Sequence, residues 1–390
     1  VIKSEFKIFI YTYMNTIKHF VKKIKINPSK NQKETFNFWL RRCKTLYNKS
    51  LEEKIDFYKK TGKYYNVYEQ KKELVGLKKL DNSWKDIPNK SLQEIIFRVD
   101  KSYQKFFKGS GFPKFKSELN SIEFVKTDIR LIKNKLYLPK IKEEIKFFEE
   151  INLGWTSVKL IKENNNFYLS FLYKEEISIN PDNQDMLGID LGLLSLYTDS
   201  NGIKCKRFSK KLIKKYQDRI DLLNKSLSKK KKGSLKFKKI KKQLNKAYNR
   251  LKRTKNDYLH KESLKLVRDN KEGIIGLGDI NIKSIIDANK GQRSKKGLIK
   301  SFYINSIGIF KQMVSYKSIK YNKICLMIDE RNTSKTCSCC RNVNYSLKLS
   351  DRIYKCIKCK NNVDRDLNSA INMKLLGLSM LSNLDNIVHN

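Results

Sequence analysis

The spacing of apolar residues changes along this chain, and the changes divide it. Residues 20–27, "FVKKIKIN", alternate apolar and polar as a half-buried strand does, and Pro28 with Ser29 then opens a helical run. Phe36, Leu40, Leu46, Tyr47 and Leu51 fall at helical spacing, and Leu92, Ile95, Ile96, Val99, Tyr103, Phe106 and Phe107 repeat it over 91–107. This predicts a helical bundle inserted after the first strand, with its aromatic side chains serving the core. From about 120 to 178 the period becomes two, in "IEFVKTDIRLIKNKLYLPKI" and "SVKLIKENNNFYLSFLYKEE", with "NNN" at 164–166 reading as a turn. Antiparallel hairpins are expected there, and with strand 20–27 they could close a small barrel.

Residues 179–185, "INPDNQD", read as a linker, and "MLGIDLGLLSLYTDSNGIKC" then gives two strands between 187 and 205. Two long basic helices follow, about 210–228 and 236–268. Beyond them come a strand at 273–277, a polar loop at 285–298, a helix over about 302–320, a strand at 323–329 and a last helix over about 366–380. That order predicts a mixed sheet flanked by helices.

Charge narrows the class of partner. The 390 residues carry 85 Lys plus Arg against 39 Asp plus Glu, a formal charge of +46, spread over every part of the chain. Such an excess costs self-repulsion in the folded state and points to a polyanion, nucleic acid first. With 39% hydrophobic residues the chain can still build real cores, so it is not a disordered basic tail. No run approaches the roughly 18 apolar residues of a membrane span. The basic, apolar start lacks a small-residue cleavage site, so secretion is not expected, and Met14 reads as the functional start.

Four of the eight cysteines form one set, Cys337-x2-Cys340 and, fifteen residues on, Cys356-x2-Cys359. Two such knuckles bring four thiolates to one tetrahedral Zn2+, and four thiolates leave no open position, so the zinc is structural. Cys339 is spare, and Cys43, Cys205 and Cys325 are scattered, a pattern of metal binding rather than of disulfides.

Asp190 ends an apolar strand in "GIDLG", where a carboxylate is costly unless it is paired, metal-bound or near solvent. Asp364 and Asp366 stand in "VDRDLNSAIN" before the last helix, where Asp366 is either a helix cap or a metal ligand, with Asn368 and Asn372 on one face in support. Several carboxylates at sheet ends suit Mg2+ ions that clamp a phosphodiester. A third acid is wanted where the strand in "EGIIGLGDINIKSI" ends, yet Gly278 is there, followed by Asp279. Period two turns Asp279 off that face. Glu330, in "LMIDERNTSKTC", is the other candidate, with a surface ion pair to Arg331 as its plain alternative. Lysines 229–232, with Lys236, Lys238 and Lys239, form a basic run suited to phosphate contacts.

Taken together, "GIDLGLLSLYTDSNG", the basic helical stretch from "KKKKGSLKFKK", "TSKTCSCC", "CIKC" and "DRDLNSAIN" resemble the TnpB proteins of insertion sequences and their eukaryotic and viral relatives, the Fanzor proteins. "KKIKINPSKNQKE", "LYNKSLEEKIDFYKK" and "GFPKFKS" extend the resemblance upstream, from about residue 20 to 380. It implies an RNA-guided, Mg2+-dependent DNA endonuclease related to compact type V CRISPR effectors. The implied parts are an N-terminal extension (1–19), a wedge β-barrel (20–30 and 118–180) holding a helical recognition domain (31–117), and an RNase-H-like RuvC nuclease domain (186–336 and 360–382). A zinc-binding target nucleic-acid module (337–359) and a C-terminal tail (383–390) complete it. Guide RNA would supply the sequence reading and target DNA would be cut beside a short flanking motif, with strand joining left to a separate transposase. The resemblance implies the cytoplasm and nucleoid in a bacterium, or the nucleus or a virus factory otherwise. The family's first and last catalytic acids fall on Asp190 and Asp366. Its usual glutamate falls on Gly278, followed by Asp279, Ile280 and Asn281. Two readings follow: the glutamate has moved to Glu330, or the chain is a guided DNA-binding repressor without nuclease chemistry.

Overall fold

The computed structural model describes residues 15–279, 306–348 and 351–388, apart from 153 and 165. The extension before residue 15, Ile280 and Asn281, the polar loop 285–298 and residues 389–390 lie outside the described residues. The chain divides into two compact units, one of residues 17–176 and one of the residues from 177 onward together with those before 17.

In the first unit, strand β1 (Asn15–Ile26) leads into helix α1 (Lys30–Thr61). Ser29 and Gln32 form a reciprocal capping box there, each side chain accepting from the other's backbone N–H, at 3.1 and 3.0 Å. Helix α2 (Val67–Leu80), which apolar spacing did not predict, precedes α3 (Asn89–Phe107). Strands β2 (Ser121–Val125), β6 (Trp155–Glu163) and β7 (Asn166–Ser178) join β1 in a sheet of order β1-β7-β6-β2, in which β6 pairs antiparallel with both β2 and β7. The short strands β3 (Arg130–Ile132), β4 (Lys135–Tyr137) and β5 (Ile145–Lys146) form a second sheet. Among the described residues, strand pairing therefore gives two open sheets, not one closed ring. Phe36 and Trp39 of α1 pack their rings on Phe167 and Phe124, at 5.4 and 5.8 Å, so the aromatic stripe does serve the core.

The second unit is built on a five-stranded mixed sheet of order β10-β9-β8-β11-β12. Strands β8 (Met186–Leu191), β9 (Ser195–Asp199) and β10 (Lys204–Lys206) are antiparallel, whereas β11 (Ile274–Gly278) runs parallel to both β8 and β12 (Ile324–Ile328). Helices α4 (Lys210–Ser228) and α5 (Leu235–Arg268) zip together through Ile220, Leu223 and Leu244. Two further helices, α6 (Ile307–Lys320) and α7 (Arg365–Val388), complete the frame.

Period two decides what each sheet face meets. Leu187, Ile189, Ile275, Leu277 and Cys325 pack with Leu259 and Leu266 of α5 and with Phe310 and Val314 of α6. The alternate positions Met186, Ile274, Ile324, Leu326 and Ile328 pack with Met373 of α7. Helix α7 lies so close to β8 that a methyl on Gly188 would stand 2.1 Å from the Ala370 carbonyl and 2.5 Å from the Lys374 nitrogen. Only glycine permits that approach. It brings the first turn of α7 to the end of β8, where Asp190 stands. No helix of the described residues is long and apolar enough to cross a membrane.

Candidate active site and cysteine centre

Asp190, Gly278 and Glu330 occupy alternate positions on the α7 side of three neighbouring strand ends. Asp190 is on β8, Gly278 closes β11, and Glu330 follows β12 by two residues, in step with Ile328, which pairs in register with Gly278. A methyl on Gly278 would stand 2.9 Å from Glu330 Oε2, 3.1 Å from Met373 Cε and 3.7 Å from Glu330 Cβ. The Glu330 carboxylate thus reaches into the space that a side chain at 278 would fill.

The odd-numbered neighbours turn away, as period two requires. Asp279 is exposed and paired with Lys311 of α6, and Asp329 is paired with Arg331. The plain alternative for Glu330, an ion pair with Arg331, is therefore not formed; Arg331 takes Asp329.

Asp366 is not the helix cap. Asp364 Oδ1 accepts from the backbone N–H groups of Asp366 and Leu367, at 3.0 and 3.1 Å, while Asp366 sits inside the first turn with Arg365 3.7 Å away. Ser369, one turn on, donates to Asp190 Oδ1 at 2.8 Å. Burial pushes the Asp190 carboxyl up to about 7, the nearby charges of Asp366 and Glu330 push the same way, and the Ser369 hydroxyl opposes them. Burial likewise lifts Glu330 to about 7, with the Lys311 ammonium pulling down and Asp279 and Asp329 pushing up. Acids crowded and desolvated in this way hold their protons to higher pH, and a hard divalent cation is the partner that would stabilise their ionised form. Their oxygens are not gathered into one tight cage: among the described residues, only the four cysteines bring ligand atoms all within 4.8 Å of one another.

In that cysteine centre Cys337 and Cys359 sulfurs are 3.6 Å apart and those of Cys340 and Cys356 are 3.5 Å apart. Zinc–sulfur bonds of about 2.3 Å in a tetrahedron place sulfurs about 3.8 Å apart, so the set fits Zn2+. The two knuckles are built alike. Cys337 N donates to Asn342 O and Cys356 N to Asn361 O, both at 2.8 Å, and Arg341 and Lys360 take φ of 65° and 61° to close the turns. Cys339 is exposed and stands outside the set, as expected of a spare residue.

Lys229, Lys230, Lys231 and Lys232 lie at the tip of the α4–α5 hairpin, with Lys236, Lys238 and Lys239 on the first turns of α5, and all seven are exposed. Spacing alone gave no sign of Lys311, Thr333 or Ser369, and it placed Asn368 and Asn372 near the acids. Both asparagines are buried and instead hold the backbone of residues 333–338.

Three family models match the chain in order: "Helix-turn-helix domain" of OrfB from IS605 elements at 14–63, OrfB of IS605, "Probable transposase", at 170–289, and "Cas12f1-like, TNB domain" at 308–373. The chain is similar to the TnpB (OrfB) family. InsQ of Escherichia coli (strain K12), whose name describes an RNA-guided DNA endonuclease, is 23% identical over 379 residues, 92% of each chain. A Streptomyces pristinaespiralis protein of similar name is 25% identical over 346 residues, 86% of this chain and 83% of that one. The TnpB-like protein L79 of Acanthamoeba polyphaga mimivirus is 31% identical over 211 residues, which cover 52% of this chain and 39% of the viral one. A cryo-EM structure of a Cas12f1–sgRNA–target DNA complex shares the fold with a TM-score of 0.54 at 15% identity, over 89% of this chain and 83% of that one. The helix-turn-helix match falls on a strand and one 32-residue helix, β1 and α1.

Proposed function

We propose that this TnpB-like chain is an RNA-guided DNA endonuclease whose RuvC-like unit uses Asp190, Glu330 and Asp366. One observation carries the reading. The carboxylate of Glu330 stands where a side chain at 278 would be, beside Met373 of α7, and its charge acts on Asp190 at the neighbouring strand end. These three acids would hold Mg2+, which when bound supplies Lewis acidity and a hydroxide-like water for phosphodiester hydrolysis. The protein's own part is to keep the acids together in a desolvated corner of the sheet, at the cost of their mutual repulsion. Ser369 fixes the Asp190 rotamer through its hydroxyl, and Lys311 opposes protonation of Glu330. The exposed lysines of the α4–α5 hairpin suit phosphate contacts to guide RNA or heteroduplex, which position without reading sequence. The four-cysteine zinc module accompanies the nuclease unit as a target nucleic-acid module, and the two sheets of the first unit with helices α1–α3 make up the wedge and recognition parts.

Glu330→Gln tests the assignment. Cleavage of a plasmid carrying the guided target should be lost under Mg2+ while target binding by the guide-loaded chain survives. Undiminished cutting by the variant would remove Glu330 from the site. A wild-type chain that binds its target and leaves it intact is the guided repressor instead.

A further inference from the structure

The cysteine centre and the acid site are joined by a short, buried hydrogen-bond path. Thr333, Asn368, Ser369 and Asn372 are each at most 4% exposed. Asn372 donates to the carbonyls of Thr333 and Thr336, at 2.8 and 2.7 Å, and Asn368 donates to Thr336 O at 2.7 Å. In return Asn368 Oδ1 accepts from Ser338 N at 2.9 Å, and Asn372 Oδ1 accepts from Arg341 at 3.0 Å. The first knuckle is thereby clamped to α7 on both of its flanks. From the clamped turn, Thr333 Oγ1 contacts Ser369 Oγ at 3.1 Å, and Ser369 donates onward to Asp190.

The Thr333 hydroxyl stands between the two acid-bearing segments. Each hydroxyl has one proton. Ser369 spends its proton on Asp190, and the Thr333 hydroxyl faces both the Glu330 carbonyl, to which it donates at 2.8 Å, and Ser369 Oγ at 3.1 Å. The carbonyl of Glu330 also accepts from the Thr333 backbone N–H, at 3.1 Å. One residue, Thr333, consequently touches the backbone of Glu330 and the hydroxyl that orients Asp190.

We propose that the cysteine module positions the acid site through Thr333 and Ser369, so that integrity of the four-sulfur centre governs how well Asp190 and Glu330 hold a divalent cation. The inference rests on these acids being the cation site. Thr333 and Ser369 are positioning residues, since neither is among the proposed metal ligands.

The experiment uses the full-length chain without RNA and reads Mn2+ binding by EPR, with Asp190→Asn and Glu330→Gln as controls that define the signal of the acid site. Thr333→Val, which keeps shape and removes the hydroxyl, should weaken Mn2+ binding about 10-fold, the lower end for loss of an outer-sphere partner. Thr333→Ser should restore it. Ser369→Ala should weaken it similarly, and the double variant should be no worse than either single one. Cys356→Ser, which breaks the centre at a remote sulfur, should weaken Mn2+ binding in wild type but add nothing to Thr333→Val. Circular dichroism melting identifies a variant that has simply unfolded, and the Thr333→Ser and Ser369→Ala pair then carries the decision. Wild-type affinity in Thr333→Val and Ser369→Ala overturns the proposal, as does unchanged affinity in Cys356→Ser. Mn2+ bound and relay-sensitive in a chain that does not cut DNA keeps the positioning role and removes the nuclease reading. Mn2+ binding that Asp190→Asn and Glu330→Gln leave unmoved removes both.

Discussion

Restoring an acid at 278 while removing the one at 330 should restore cleavage. A methyl on Gly278 already lies 2.9 Å from the Glu330 carboxylate oxygen and 3.7 Å from Glu330 Cβ. A side chain growing from 278 therefore starts beside the point where the Glu330 side chain ends. Glu330→Ala alone removes a proposed metal ligand, and a loss of about 3–4 kcal/mol in transition-state stabilisation is ~10²–10³-fold in rate. The double change Gly278→Glu with Glu330→Ala should recover cleavage to within about 10-fold of wild type, because the carboxylate returns to the same corner by the shorter path. Gly278→Ala with Glu330 retained should fold, since the atoms it crowds are the ends of Glu330 and Met373. Overpacking of this kind costs about 1–3 kcal/mol and pushes the carboxylate aside, so cleavage should fall although stability largely survives. Single-turnover cleavage of guided plasmid across a Mg2+ titration reads all three. A folded, target-binding double variant as inactive as Glu330→Ala refutes the argument that one point in space is what the chemistry needs.

Three further outcomes are expected. Gly188→Ala forces a methyl against backbone of α7 that cannot rotate away, so it should cost about 3 kcal/mol or more, lower the melting temperature and abolish cleavage together. Lys54 and Asp100 form an ion pair in the first unit, 2.9 Å apart with side chains 1% and 4% exposed. Lys54→Met should therefore lose about 3–5 kcal/mol in urea unfolding, and adding Asp100→Leu should recover most of it. Lys311→Met should move the acid limb of the cleavage–pH profile upward. The ammonium favours the ionised Glu330, so without it the proton is held to higher pH and a higher pH is needed for the same rate.

The frame of the second unit was legible because its central strands, buried on both faces, read as short continuous apolar runs such as "IIGLG" and "ICLMI", and the cysteine set because its spacing is itself the chemistry. Asp190 was visible as a charge at the end of an apolar run. Strands β3 to β5 are two or three residues long, and alternation in such short runs does not say which sheet they join, which is why one barrel was expected where two sheets form. Helix α2 is a charged stretch, "VYEQKKELVGLKKL", with only Val67, Gln70 and Leu74 buried, so its apolar spacing is nearly silent. The choice at Asp366 between cap and metal ligand stayed open in the sequence because Asp364 and Asp366 are both good N-caps and only the backbone turn selects Asp364. Thr333 and Ser369 carry no signal at all in one sequence. A hydroxyl becomes informative only when the fold shows what it touches.

The glycine at 278, where an acid was wanted, has a geometric explanation. Strands β11 and β12 are parallel and adjacent, about 4.8 Å apart, with Gly278 level with Ile328. A glutamate two residues beyond Ile328 lies on the same face, is free of the sheet and can bend back over the end of β11. The reach requires that nothing branch from 278, which a glycine alone satisfies. It also requires that the neighbouring acids not compete. Asp279 and Asp329 are drawn to the opposite side by parity and by their own cations, Lys311 and Arg331. Under these conditions the two strand ends are interchangeable suppliers of one carboxylate. Turn 333–336, clamped by Asn368 and Asn372, holds the chain just beyond Glu330. That clamp has no counterpart among the described residues on the β11 side, where the chain leaves Gly278 with Asp279 exposed. An acid supplied from β12 is thus tied to the cysteine module in a way that one supplied from β11 is not. The Gly278→Glu, Glu330→Ala chain should therefore bind Mn2+ with less dependence on Thr333 than wild type does.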